Sequence, residues 1–80
     1  MRLAAEALAD ASPERLAFGT ELRRRRKAKG WTQQQLADRA GPDRQSVNRA
    51  ERGTVATSVD RVYMYARALG CKPGDLLVDP

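Results

Sequence analysis

Apolar residues recur every three or four positions through most of the chain, which is the period of helices that bury one face. The first such segment follows Ser12-Pro13-Glu14, which combines a capping serine, a proline suited to the first helical position and an acid in the first turn. This pattern predicts a helix that ends near Gly30 and carries three apolar residues: Leu16, Phe18 and Leu22.

Two shorter helices are predicted next, separated by a tight turn. The segment from Thr32 to Gln35 fits a capping box, in which threonine caps the helix and glutamine reaches back from three residues on. Asp43 is placed to cap the second of these helices. The two helices are predicted to end at Ala40 and to run from Arg44 to Arg52, with glycines 41 and 53 as their stops.

The last part of the chain continues the helical pattern. A fourth helix is predicted from about Ser58 to Gly70, with five apolar residues at helical spacing: Val59, Val62, Tyr63, Ala66 and Leu69. Pro73 opens a short final turn of helix that can bury Leu76 and Leu77. No segment has the pattern of a strand, so the sequence predicts an all-α fold.

The chain divides into two regions of very different length. Residues 1–12 form an N-terminal extension, and their apolar spacing fits either a short amphipathic helix or a frayed tail. Residues 13–80 are predicted to form one small domain, since 80 residues provide a single core with little to spare.

The predicted third helix, within GPDRQSVNRAERG, is unusually polar. Five of its side chains fall within an arc of roughly 140° that contains no acid: Arg44, Gln45, Asn48, Arg49 and Arg52. Arginine pairs with the guanine edge, and glutamine and asparagine pair with the adenine edge, in the DNA major groove. An ordinary solvated helix face is the alternative, but such faces usually mix acids with bases. The pattern therefore favours a helix that contacts base pairs.

Composition supports a polyanionic partner. The chain has 15 Lys+Arg and 10 Asp+Glu residues, a net charge of +5, and six of the positive charges lie in RRRRKAK at residues 23–29. A small basic domain is typical of proteins that bind nucleic acid, although charge alone also fits a merely soluble basic protein. Since a contiguous run surrounds its helix, most of residues 23–29 are expected to be solvated rather than bound.

Several functional classes are excluded or disfavoured by residue types. With one cysteine, Cys71, and no histidine, the chain can form neither an internal disulfide nor a Cys/His zinc site, and no cofactor is expected. No set of paired acids or of nucleophile and base occupies a common face, so an enzyme is not expected. No apolar run approaches the roughly 18 residues of a membrane span, and no signal peptide is evident, so a cytoplasmic protein is expected.

Specific motifs then point to a family. They are LR-x-x-R before a glycine, TQ-x-x-LA, a one-turn break after Gly41, ERG and A-x-ALG, within FGTELRRRRKAKGWTQQQLADRAG, PDRQSVNRAERG and SVDRVYMYARALGCKPGDLL. From Phe18 onward the chain resembles the lambda-repressor/Cro-type helix-turn-helix family, also called the XRE family. The resemblance implies a compact five-helix domain that binds double-stranded operator DNA, usually as a homodimer.

The resemblance also assigns candidate roles to residues. The base-contacting candidates are Arg44, Gln45, Asn48 and Arg49. The phosphate-contacting candidates are Thr32, Gln33, Arg52 and Thr54. Arg26 and Glu51 match a structural pair that ties the first helix to the recognition helix, and a buried Glu51 would need such a cation.

The chain departs from the family pattern at a few positions. Arg25 stands where the family commonly has an apolar residue, Thr57 stands where it often has proline, and Ala50 is smaller than usual. The loop of residues 54–57 has no basic residue, which weakens the expectation that its side chains contact phosphate.

Two functional classes follow. The leading hypothesis is a sequence-specific transcriptional regulator, a repressor or controller-type protein that binds a palindromic operator as a dimer. The alternative is an antitoxin-like interaction module that binds a toxin and regulates its own expression; contact with polymerase is a further option. The aromatic residues Trp31, Tyr63 and Tyr65 favour packing over base stacking, and Met64, Leu77 and Val78 form a candidate dimer patch.

Overall fold

The computed structural model describes residues 12–80, and these form five α-helices without a strand. The helices are α1 (Pro13–Ala28), α2 (Gln33–Ala40), α3 (Arg44–Arg52), α4 (Val59–Leu69) and α5 (Pro73–Leu76). The predicted all-α, five-helix architecture is therefore confirmed. The expectation for the N-terminal extension lies outside the described residues, except at Ser12. No helix of residues 12–80 is long and apolar enough to cross a membrane.

Local capping sets where the helices begin. The Thr32 hydroxyl accepts the Gln35 N–H at 3.1 Å while the Gln35 side chain accepts the Thr32 N–H at 2.8 Å, which completes the predicted capping box. Asp43 accepts the Ser46 N–H at 2.7 Å. Hydrogen bonds from the side chain and the backbone of Ser46 lower the pKa of the Asp43 carboxyl below its usual value. The remaining side-chain caps are made by Ser12 and Ser58.

The core lies between the helices: α3 packs on α1 and α2, α4 packs on α2 and α5, and α1 also contacts α4 and α5. Its buried apolar residues come from every helix: Phe18, Leu22, Leu36, Ala37, Ala40, Val47, Ala50, Val62, Tyr65, Ala66, Leu69 and Leu76. Tyr65 is fully buried beside Phe18, with ring centroids 6.5 Å apart, and burial raises the pKa of its phenol.

The helices α1 and α3 cross closely at Gly19. A Cβ atom at Gly19 would lie 2.4 Å from the Ala50 carbonyl oxygen and 2.5 Å from that of Glu51. No side chain therefore fits between the two backbones. The last turn of α3 rests directly on the middle of α1, which fixes how α3 is presented.

The buried face of α4 differs from the predicted one. Val59 and Tyr63 are 70% and 50% exposed, whereas Tyr65, which the apolar spacing omitted, is fully buried. A spacing of three or four residues selects a broader strip of the helix surface than the part that the core covers. The pattern therefore includes residues, such as Val59 and Tyr63, that lie beside the buried face and not in it. The prediction for Leu77 was also wrong: Leu76 is buried, but Leu77 follows the end of α5 and is 59% exposed.

Arg25, which departs from the family pattern, lies half-buried on α1. Its Nε atom donates to Glu21 Oε2 at 2.7 Å, so an ion pair within α1 accommodates the polar residue at this position. Arg24 donates to the same carboxylate at 3.0 Å, and this bond lowers the pKa of Glu21.

Candidate nucleic-acid interface

The outer face of α3 is polar and positively charged. Arg44, Gln45, Arg49 and Arg52 are exposed, and Asn48 is half-buried at the edge of the same face. The opposite side buries Val47 and Ala50. The helix is held by its inner face, by its cap at Asp43 and by Gly53, whose φ of 70° ends the helix in the left-handed region.

The structure places α2 and α3 as a tight pair. Gly41 joins them with a φ of 107°, a conformation that favours glycine, and Pro42 after it is buried. The two helices pack against each other, and α2 also packs against α4, while α3 packs mainly on α1. As a result α2 and the rest of the bundle support α3 from behind, and its outer face is left open.

A buried ion pair fastens the C-terminal turn of α3. Arg26 Nε donates to Glu51 Oε2 at 2.6 Å, and its Nη2 donates to Oε1 at 3.0 Å. Arg26 Nη1 also donates to the carbonyl of Trp31 at 2.7 Å. One guanidinium thus links α1, α3 and the connection before α2, with both side chains almost completely buried.

The hydrogen-bonded chain continues from this pair to the outer face. Gln33 Nε2 donates to Glu51 Oε1 at 3.1 Å, and Asn48 Nδ2 donates to Gln33 Oε1 at 3.3 Å. We call Arg26–Glu51–Gln33–Asn48 the amide chain. The sequence did not predict its Gln33–Asn48 link, because a helical projection places side chains on a face but does not show which amides on two helices meet.

The phosphate-contacting candidates lie at the two ends of the α2–α3 unit. Thr32 is the exposed N-cap of α2, and Gln33, the first residue of α2, is engaged in the amide chain. Arg52 is exposed at the end of α3. Thr54 is also exposed, and its hydroxyl donates to the Arg49 carbonyl at 3.3 Å, closing the last turn of α3.

The aromatic residues are engaged in packing. Trp31 is half-buried against the core, and its ring is covered by the guanidinium of Arg39 at 4.4 Å and approached by the Lys29 ammonium at 5.9 Å. Tyr65 is buried, as described above. These two rings are therefore not open platforms for stacked bases.

Comparison with known proteins identifies the family to which this arrangement of helices belongs. A family model described as Helix-turn-helix matches residues 22–76, which include the α2–α3 unit and most of the helices around it. The chain belongs to the helix-turn-helix family. The match is of the XRE type that the motifs indicated.

Solved structures support the same conclusion. The chain is similar to the restriction-modification controller protein C.AhdI from Aeromonas hydrophila, with a TM-score of 0.79, 37% identity, and coverage of 81% of this chain and 98% of that one. It is similar to the hypothetical transcription factor NHTF from Neisseria (TM-score 0.79, 33% identity, coverage 84% and 77%). It also resembles the clp gene regulator ClgR from C. glutamicum (TM-score 0.73, 32% identity, coverage 79% and 82%). No match was found among curated proteins.

The family and its structural neighbours establish the general activity. This helix-turn-helix protein is a DNA-binding transcriptional regulator and not an enzyme. Its partner is double-stranded DNA.

Proposed function

We propose that this helix-turn-helix protein is a repressor or controller-type regulator that binds a palindromic operator in the cytoplasm as a homodimer. The observation that carries the proposal is the acid-free outer face of α3, on which Arg44, Gln45 and Arg49 are exposed. A regulator of this kind places such a helix in the major groove, and two copies occupy half-sites about 34 Å apart.

The base contacts are assigned to Arg44, Gln45, Asn48 and Arg49. Arginine donates two parallel hydrogen bonds to guanine O6 and N7, and an amide pairs with adenine N6 and N7. Asn48 uses one of its N–H groups on Gln33. Its carbonyl oxygen and second N–H are the groups that an adenine edge requires.

The phosphate contacts are assigned to Thr32, Gln33, Arg52 and Thr54. The N-terminus of α2 carries the partial positive charge that attracts a phosphate, and Thr32 and Gln33 stand at that end. Arg52 supplies a full charge at the other end of the unit. These contacts set affinity and register without distinguishing sequences.

The similarity to C.AhdI favours the controller-type role, since the match covers nearly all of that restriction-modification controller protein. The three solved structures reported above are a controller, a transcription factor and a gene regulator. The antitoxin alternative has no support among them.

The proposal is tested by selecting bound sequences from random duplex DNA at several salt concentrations. We expect a palindromic consensus. Arg44→Ala should relax one base position in each half-site and cost about 1–3 kcal/mol of binding on the cognate operator. Arg52→Ala is the matched control: the same change on the same helix should weaken all sequences alike.

Two results would contradict the proposal in different ways. A selection that returns no motif would overturn sequence-specific regulation itself. A consensus that Arg44→Ala leaves unchanged at every position would show that the base-contacting residues are wrongly assigned.

A further inference from the structure

The outer face of α4 carries an apolar surface that the DNA interface does not use. Val59 is 70% exposed and Tyr63 50% exposed, and both belong to a fourth helix whose other side is core. With half-buried Met64 they line a shallow groove of about 460 Å³, whose remaining walls are Asp60 and Arg67. Exposed aromatic and aliphatic side chains grouped in this way mark interaction surfaces.

The charges on this face are arranged symmetrically. Asp60 and Arg67 are seven residues apart, two helical turns, and therefore lie on the same side of α4. The point halfway between them falls between Tyr63 and Met64, in the middle of the apolar groove. One end of the groove is thus acidic, the other is basic, and the centre is apolar.

We infer that this α4 face, formed by Val59, Asp60, Tyr63, Met64 and Arg67, is the surface on which a second copy of the chain packs. A two-fold axis through the midpoint sets the two α4 helices antiparallel. Each Asp60 then faces Arg67 of the second copy, the Tyr63 and Met64 side chains meet at the axis, and no charge is left opposite its own kind. The inference rests on the proposed function in taking the regulator to be a homodimer.

A second exposed apolar surface of the described residues lacks this complementarity. Leu16 and Val78 line a groove with Glu21 and Asp79, which has acidic but no basic residues in its wall. A second copy joined there would offer no base from this wall to Asp79, and Glu21 is already paired with Arg24 and Arg25. Leu77 lines a different cavity, near the start of α1. The candidate patch of Met64, Leu77 and Val78 is thus divided among three cavities, and Met64 belongs to the α4 face.

The α4 face adjoins the DNA-binding unit. A Cβ atom at Gly41, in the turn between α2 and α3, would lie 3.1 Å from Met64 Cε. The side chain at the centre of the α4 face therefore lies close to that turn. A second copy bound on this face would rest on a part of the molecule that is packed against the helix-turn-helix unit.

The size of the face indicates a weak dimer in the absence of DNA. With 11 residues, α4 is roughly 16 Å long. A pair of such helices covers less than the ~800 Å² per partner of a standard stable interface, and smaller interfaces are typical of transient complexes. Dimerisation should consequently depend on protein concentration, and a palindromic operator would join two copies that associate weakly alone.

Charge reversal tests the inference without DNA. In an Asp60→Arg homodimer the introduced arginine faces Arg67 of the second copy at both contacts. In an Arg67→Asp homodimer the introduced aspartate faces Asp60 of the second copy at both contacts. We expect each variant to dimerise at least about ten-fold more weakly than the unchanged chain, because like charges face each other twice. Sedimentation velocity over a range of protein concentrations at low salt measures this, and thermal melting followed by circular dichroism checks that each variant is folded.

Mixing the two variants provides the decisive result. One copy with Asp60→Arg and one with Arg67→Asp place opposite charges at both contacts, so the mixture should recover dimerisation as a heterodimer. The double variant, with both changes in one chain, should recover it as a homodimer. Asp38→Arg makes the same charge change at an exposed residue of α2 outside the groove and should leave dimerisation unchanged.

Three outcomes would overturn the inference. In the first, the unchanged chain stays monomeric at all concentrations up to about 1 mM. In the second, neither charge reversal weakens the dimer. In the third, the reversals weaken the dimer, but mixing the two variants does not restore it. These are separable from the proposed function. If selection returns a palindromic consensus but dimerisation does not respond to the charge reversals, only the α4 surface is refuted. If the reversals weaken the dimer and mixing restores it, but selection returns no consensus, only the regulator proposal is refuted.

Discussion

At the scale of single residues, the buried Glu51 carboxylate is the most constrained group of the interface. Its side chain is 2% exposed; Arg26 donates to both of its oxygens, and Gln33 donates to Oε1. A charge taken out of water is tolerated only with such partners, and removal of one partner strands the other. The pair therefore contributes more to the position of α3 than to net stability.

Breaking this pair should be costly, whereas replacing it should not. Glu51→Ala leaves Arg26 charged and buried, and we expect it to lower the free energy of unfolding by about 3–5 kcal/mol. The double change Arg26→Met with Glu51→Leu restores apolar packing and should cost much less than the single change. Urea unfolding of both variants measures this. A Glu51→Ala variant as stable as the unchanged chain would show that the pair is not desolvated in solution.

The residue roles could be predicted only in part from the sequence. The exposed positions of Arg44, Gln45 and Arg49 follow from helical periodicity. Val47 and Ala50 are the apolar residues of α3, so they define its buried face and leave the arginines and Gln45 outside. The link from Gln33 to Asn48 depends on how two helices cross, which periodicity does not contain. The apolar spacing of α4 likewise included Tyr63, which is half exposed, and omitted Tyr65, which is buried.

At the scale of helices, the presentation of α3 depends on its contact with α1 at Gly19. From propensity alone, Gly19→Ala within a helix should stabilise by up to about 1 kcal/mol. The structure predicts a loss of stability instead, because the new methyl group would clash with the carbonyl groups of Ala50 and Glu51.

We expect Gly19→Ala to destabilise the protein by about 1–3 kcal/mol or more, since backbone atoms cannot give way as a flexible side chain can. Gly74→Ala is the matched control: Gly74 lies in α5, and nothing lies within 4 Å of a Cβ placed there. Its effect should be neutral or stabilising. Thermal unfolding of both variants measures the difference, and a Gly19→Ala variant as stable as Gly74→Ala would contradict the close crossing.

Helix bounds could be predicted more fully than helix contacts. The starts of α1, α2 and α3 depend on hydrogen bonds that the side chains of Ser12, Thr32 and Asp43 accept from the backbone N–H three positions on. A short stretch of sequence therefore contains the cause. The closeness of Gly19 to α3 joins residues more than 30 apart along the chain. In the sequence Gly19 is an unremarkable glycine within a helical pattern.

At the scale of the whole molecule, a net charge of +5 on a small domain makes DNA affinity depend strongly on salt. For a dimer that makes about six to ten phosphate contacts, raising the salt from 50 to 200 mM should lower affinity by a factor on the order of 10³–10⁵. Titrations of operator DNA at several salt concentrations give the slope of log affinity against log salt.

Single arginines should alter that slope selectively. Arg52→Ala should reduce its magnitude by about one for each copy bound, since one phosphate contact is lost per copy. Arg24→Ala should leave the slope unchanged, because Arg24 is paired with Glu21 on α1. Equal slopes for Arg52→Ala and the unchanged chain would exclude Arg52 as a phosphate contact.

The amide chain also bears on attempts to retarget this protein to new operators. A codon library that randomises only position 48 would remove the Asn48 donor to Gln33 Oε1 in nearly every clone. Gln33 Nε2 would still donate to Glu51, so the Gln33 side chain would stay in place without its second partner. Successful clones should therefore emerge from joint randomisation of positions 33 and 48. An engineer should vary the two positions together, because Gln33 acts on specificity through the hydrogen bond that it accepts from Asn48 and not through its proposed phosphate contact.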